Sequence, residues 1–132
     1  VSAHALHNGK VLTQFEAHKV DISCLAIGKG SSWLFSASCD GTVKFHTDEG
    51  SRAPICHSEI KRHRAGVTCL APCIELDLVG SGGNDMRVLF YILRTRKLER
   101  AMSTFAHAIS AIQFVPTRCL VAVADEGGMV SL

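Results

Sequence analysis

The feature that most constrains this chain is a repetition about every 45 residues, visible before any single motif is considered. Histidines recur in Glu16-Ala17-His18, Lys61-Arg62-His63 and Phe105-Ala106-His107, spaced 45 and 44 residues apart. Each precedes an apolar run of strand character: Ile22-Ser23-Cys24-Leu25-Ala26, Val67-Thr68-Cys69-Leu70-Ala71 and Ala111-Ile112-Gln113-Phe114-Val115. A period of this length, built from short extended pieces, signals supersecondary units that cannot bury their apolar faces alone and must stack on one another.

Within a period the same order of pieces returns. A second strand ends in a turn, as Leu34-Phe35-Ser36-Ala37-Ser38-Cys39-Asp40 and Val79-Gly80-Ser81-Gly82-Gly83-Asn84-Asp85, each aspartate lying 22 residues beyond its histidine. The third copy, residues 121–127, is looser. A third strand follows as Thr42-Val43-Lys44-Phe45-His46 and Arg87-Val88-Leu89-Phe90-Tyr91, its side chains alternating as a pleat requires. Asn8-Gly9-Lys10-Val11-Leu12 and Thr95-Arg96-Lys97-Leu98-Glu99 occupy one place, a turn running into a fourth, outer strand.

Four short strands per period predict an all-β chain of four-stranded antiparallel blades, part of a β-propeller with about three blades present. The expected divisions are residues 1–15 (the outer two strands of a blade), 16–60 and 61–104 (complete blades), and 105–132 (a truncated blade). Val1 falls level with Val43 and Val88, and His4 level with His46 and Tyr91, so the chain reads as a piece of something longer. Propellers close with roughly 4 to 8 blades, so the remaining blades are an expected partner.

The His-to-Asp spacing, the Ser-x-x-x-Asp-Gly-Thr-Val segment from Ser36 to Val43 and the whole-chain period resemble the WD-repeat family. The repeats are degenerate. His4, His46 and Tyr91 stand where the family has tryptophan, and Ala5, Thr47 and Ile92 where it has aspartate. Val67-Thr68-Cys69-Leu70-Ala71, Glu75-Leu76-Asp77-Leu78-Val79, Ser81-Gly82 and the basic run from Arg94 to Lys97 are similar to C-terminal propellers of BEACH-domain, neurobeachin-like proteins. That resemblance implies a scaffold in vesicle and membrane trafficking.

His18, Ser36 and Asp40 imitate a hydrolase triad. The set returns as His63, Ser81 and Asp85, and duplication in successive blades suits a structural hydrogen-bond network better than a catalytic centre. The resemblance implies the same, with His46 and Tyr91 donating to the serines in place of the tryptophan N–H. In the third copy Val123 and Gly127 stand at the Ser and Asp positions, leaving His107 with Asp125 nearby. No catalytic residues are assigned, and a propeller enzyme remains only as an alternative.

Cys69 and Cys73, with His57 and His63, invite a zinc reading. Cys24 and Cys69 share one repeat position on an inner strand, however, and free cysteine packs as a small apolar residue. No metal or cofactor is expected. Gly80, Gly82 and Gly83 lie in a strand and turn with no helix following, so no phosphate-cradling loop is present.

Hydrophobic residues at 47% and charged residues at 20% exclude the disordered class. No apolar run reaches the ~18 residues of a membrane span, and no secretory signal is seen, so a cytoplasmic setting with reduced cysteines is expected. The net charge of +2 argues against nucleic acid as a partner and allows membranes only indirectly. Charge is uneven, though: residues 61–64 and 94–100 are basic, the first on a loop between blades and the second running from a turn onto an outer strand, expected to face different surfaces. The leading reading is a non-catalytic platform for other proteins, with Lys19, Asp21, Arg62, Arg64 and Arg94 as candidate contacts. Arg94, three places after Tyr91, also fits the adaptor-binding box of ubiquitin-ligase substrate receptors, the alternative function.

Overall fold

The computed structural model describes residues 1–47 and 54–132. They form four antiparallel sheets in chain order. The first pairs β1 (Ser2–His4) with β2 (Val11–Gln14). The second orders β3 (Ile22–Ile27), β4 (Trp33–Ser38), β5 (Thr42–Thr47) and β6 (Ile55–Lys61) as successive neighbours. The third does the same with β7 (Val67–Cys73), β8 (Leu78–Gly83), β9 (Val88–Ile92) and β10 (Leu98–Met102). The fourth contains β11 (Ile109–Val115), β12 (Leu120–Asp125) and β13 (Val130–Ser131), with one 3-10 turn at Pro116–Arg118.

The sheets stack face to face, with β7 packed against both β3 and β11. Side-chain alternation makes this possible. On β9, Leu89 and Tyr91 enter a cluster with Phe35, Ala37, Val43, Phe45, Val67 and Val79 between the second and third sheets. Val88 and Phe90 point the other way, into a cluster with Ile109, Ile112, Phe114 and Val123 between the third and fourth. A strand covered on both faces reads as a continuous apolar run, as Val88-Leu89-Phe90-Tyr91 does. Truncating such an aromatic residue to alanine typically costs about 3–5 kcal/mol.

The third and fourth sheets approach closely at Gly82. A Cβ there would stand 2.5 Å from Ile109 Cγ2 and 2.8 Å from Cys69 Sγ, so no larger residue fits without moving β11. The partner position in the second sheet, Ala37, carries its methyl group in the apolar cluster.

Each of the three larger sheets opens with a register shift at the same place. It falls between Ile22 and Cys24, between Val67 and Cys69, and between Ile109 and Ala111. This bulge places equivalent residues without reference to the histidines. His18 and His63 precede their bulge residue by four positions, whereas His107 precedes Ile109 by two.

Candidate functional site

In the second sheet Asp40 starts a directional chain of hydrogen bonds. The turn after β4 brings the Asp40 carboxylate back over Thr42, whose backbone N–H donates to Oδ1 at 2.9 Å and whose hydroxyl donates at 2.6 Å. These bonds hold the Asp40 carboxyl below its ordinary value, the Thr42 hydroxyl contributing most. With its proton committed, Thr42 Oγ1 accepts from His18 Nδ1 at 3.1 Å. Burial, followed by the charge of Lys44, lowers the His18 pKa and keeps the ring neutral. A neutral ring protonated at Nδ1 leaves Nε2 an acceptor, here for the Ser36 hydroxyl at 2.8 Å. Ser36 Oγ then accepts from His46 Nε2 at 2.9 Å.

The chain ends on His46 Nδ1, a buried atom without a hydrogen-bond partner among the described residues. Protonating it would place a charge on a ring only 1% exposed, with nothing to accept the new N–H. Burial, with help from His18 and Lys44, pushes the His46 pKa down to about 4. Asp40 thus reaches His18 only through Thr42, a residue that sequence reasoning left out of the network. Its signal was available: an aspartate two positions before a hydroxyl residue commonly turns its carboxylate onto that residue's backbone N–H.

The third sheet arranges its set differently. Asp85 accepts directly from His63 Nδ1 at 3.0 Å and from the Arg64 backbone N–H at 2.8 Å. Burial raises the Asp85 pKa, but these donors and the Arg87 N–H outweigh it, so the carboxyl lies below its ordinary value. His63 Nε2 and Ser81 Oγ are 2.8 Å apart. Tyr91 is fully buried beside them; burial raises its pKa against the opposing influence of the nearby Ser81 hydroxyl, and its own hydroxyl makes no hydrogen bond of proper geometry among the described residues.

In the fourth sheet the histidine is displaced. His107 has a side chain 57% exposed and a ring nitrogen 4.0 Å from Asp125. The bulge register puts Phe105, instead of His107, level with His18 and His63. The offset from the histidines alone therefore misaligned the third copy.

The candidate contact residues separate into groups. Lys19 is exposed and lines a small cleft with His18, Asp40, Thr42, Lys44 and Glu59. Asp21 is exposed, and its backbone carbonyl accepts from Ser38 Oγ and the Cys39 N–H, both at 3.0 Å. Arg64 is exposed. Arg94 is engaged by Asp77 at 2.7 Å.

Arg62 lies on the loop between β6 and β7. Parts of the two basic segments, expected on different surfaces, share one cleft of about 610 Å³ lined by Glu59, Ile60, Lys61, Arg62, Arg96, Lys97 and Leu98, whereas Arg100 lines a different pocket. Stacking of the second sheet on the third brings the end of β6 beside the β9–β10 turn. Lys61 is the last residue of β6, not part of a loop.

Cys24 and Cys69 sit half-buried on β3 and β7, where burial raises both thiol pKa values and disfavours the thiolate a metal needs. Among the described residues no group of three His, Cys, Asp or Glu side chains is placed to hold a metal. No helix among them is long and apolar enough to cross a membrane.

Residues 9–47 match the family described as WD domain, G-beta repeat. A chain in the solved structure of a mitotic checkpoint complex superposes with a TM-score of 0.80 at 21% identity, over 92% of this chain and 36% of that one. The chain is therefore a run of WD-repeat blades and belongs to the WD-repeat β-propeller family. It is 30% identical, over 95% of its length, to U3 small nucleolar RNA-associated protein 4 of Schizosaccharomyces pombe. It is 29% identical, over 74% of its length, to BEACH domain-containing protein B of Arabidopsis thaliana. The chain spans 17% and 4% of the lengths of these two relatives.

The exclusion of nucleic acid as a partner is corrected by the first of them, a protein named for its association with RNA. The exclusion rested on a net charge of +2, which averages over all surfaces and is blind to where cations gather.

Proposed function

We propose that the chain is a non-catalytic, protein-binding platform in an assembly that contains RNA, with its His–Ser–Asp sets serving architecture. The observation that carries the non-catalytic part is burial. His18 and His63 are 8% and 4% exposed and Ser36 and Ser81 are inaccessible, so neither serine is open to a substrate. Both sets lie where neighbouring sheets meet, and their buried His–Ser bonds tie the segment before each sheet to its second strand, which rigidifies a scaffold. Loops fixed by that scaffold then present Lys19, Arg62 and Arg64 to partners.

The RNA part is supported by the 30% identity to the U3 small nucleolar RNA-associated protein. The test is affinity purification of the tagged full-length protein with and without ribonuclease. RNA in the purified material, together with proteins shed on its digestion, is the expected result. A partner set free of RNA and unchanged by digestion would remove RNA from the reading and leave a protein platform alone.

A second reading, a scaffold in vesicle trafficking as part of a BEACH-type protein, is supported by the 29% identity to BEACH domain-containing protein B. Co-purification with membrane vesicles and no RNA would favour it. The ubiquitin-ligase alternative has less support, because Arg94 is already ion-paired with Asp77.

A further inference from the structure

We propose that the cleft between β6 and the β9–β10 turn binds the phosphodiester backbone of an RNA strand. Lys61 and Arg62 form one side, and Arg96 and Lys97 the other. None of the four is in an ion pair among the described residues. The single acidic residue of the lining, Glu59, is already neutralised by Lys44 Nζ at 2.9 Å. The cleft thus holds four uncompensated cations. Ile60 and Leu98 form apolar wall between them, and low-dielectric walls focus the field of such charges. Arg87 Nη1 also donates to the Arg62 carbonyl at 3.4 Å, tethering that segment and placing a further guanidinium close by.

The turn carrying Arg96 shows how this cation can be removed without harm to the fold. Its backbone bonds, Ile92 N to Lys97 O at 3.0 Å and Arg96 N to Ile92 O at 2.7 Å, repeat those of the first sheet's turn, Ala5 N to Lys10 O and Gly9 N to Ala5 O, both 2.8 Å. The left-handed residue is Gly9 in one turn, at φ 69°, and Arg96 in the other, at φ 56°. Glycine takes that conformation freely, whereas a side chain there costs on the order of 1 kcal/mol. Asp77, Met86 and Cys119 take the same conformation in other turns, so glycine at 96 would relieve the backbone while removing only the charge that Arg96 brings to the cleft.

The occupant follows from the lining. Cations on two separate segments suit an extended polyanion better than one phosphate. A cleft between blades admits a strand and not the flat face of a bilayer. No aromatic side chain lines it, so bases find nothing to stack on and contact is with the backbone, independent of sequence. The choice of RNA over an acidic peptide rests on the reading proposed above.

The test compares the full-length protein with a variant carrying K61Q, R62Q, R96G and K97Q, using a labelled single-stranded RNA of mixed sequence and a polyglutamate of equal charge. RNA binding is expected to weaken at least about tenfold, and the slope of log affinity against log salt to flatten by about 3, at roughly 0.7 for each phosphate no longer neutralised. R96G alone is expected to weaken RNA binding by about two- to fivefold while thermal stability holds or rises, since glycine relieves the backbone; this separates lost charge from lost folding. R118Q, which removes an exposed cation outside the cleft, should bind as the native protein does.

If the fourfold variant binds RNA like the native protein while native RNA still co-purifies, the cleft assignment fails and the assembly reading survives. Polyglutamate bound as tightly as RNA, and released by the same four substitutions, would overturn RNA as the occupant. A native protein that holds RNA in neither assay overturns both.

Discussion

The second and third sheets solve one problem with different residues, and the contrast shows how a WD-repeat blade tolerates the loss of its usual side chains. In the second sheet the carboxylate is one residue removed from the histidine, and Thr42 relays between them. The serine is then shared by two imidazoles. In the third sheet Asp85 grips His63 directly and ties down the Arg64 backbone, but the chain stops at Ser81, with the Tyr91 hydroxyl left over. One network is longer and ends in an unpaired imidazole nitrogen; the other is shorter, anchored by a stronger acceptor. What the repeat preserves is the buried His–Ser bond, at 2.8 Å in both.

The largest difference is expected in acid. The His46 ring falls from an ordinary value of 6.5 in the unfolded chain to about 4 in the fold, so the unfolded state binds the proton first. The stability this provides is complete above pH 6.5 and is lost as pH falls towards 4, amounting to about 3 kcal/mol, with His18 acting in the same direction. Denaturant unfolding followed across that range should show the loss. His46→Tyr, which installs the third sheet's residue, should flatten the profile, and a profile equally steep in the variant would place the effect elsewhere.

Removing the shared serine should hurt the second sheet more than the third. Ser36→Ala unpairs two buried ring nitrogens and is expected to cost about 2–4 kcal/mol, whereas Ser81→Ala unpairs one and should cost about 1–2 kcal/mol. Equal midpoint shifts in urea would show that the His46 link contributes nothing. The carboxylates should rank the other way. Asp85→Ala strips a partner from the 4%-exposed His63 and should cost about 2 kcal/mol. Asp40→Ala leaves His18 bonded to Thr42 and should cost about 1 kcal/mol by thermal melting. The smallest effect belongs to Tyr91→Phe: deleting a hydroxyl without a partner should leave stability within about 0.5 kcal/mol or raise it, and a loss above about 1 kcal/mol would reveal a bond from Tyr91.

Much of this architecture was legible before any coordinates, for local reasons. Strand alternation, turn residues and a constant His-to-Asp offset are properties of neighbouring positions, and a pleat of period two writes them directly into the order of residues. The offsets alone marked His18 with Ser36 and His63 with Ser81 as members of one recurring set. They failed at His107, which lies two positions before its bulge residue Ile109 instead of four, so that Phe105 stands level with His18 and His63. The His107 side chain is 57% exposed there, whereas His18 and His63 are buried.

What the amino-acid order determined by itself is the repeating strand unit and the side chains that alternate along it. Only the tertiary structure decided that Thr42 relays between Asp40 and His18, that Glu59 is spent on Lys44, and that residues 61–62 and 96–97 face one another across a cleft. Those pairings join different strands and different sheets. They depend on the angle and distance at which one twisted sheet stacks on the next, which no local spacing encodes.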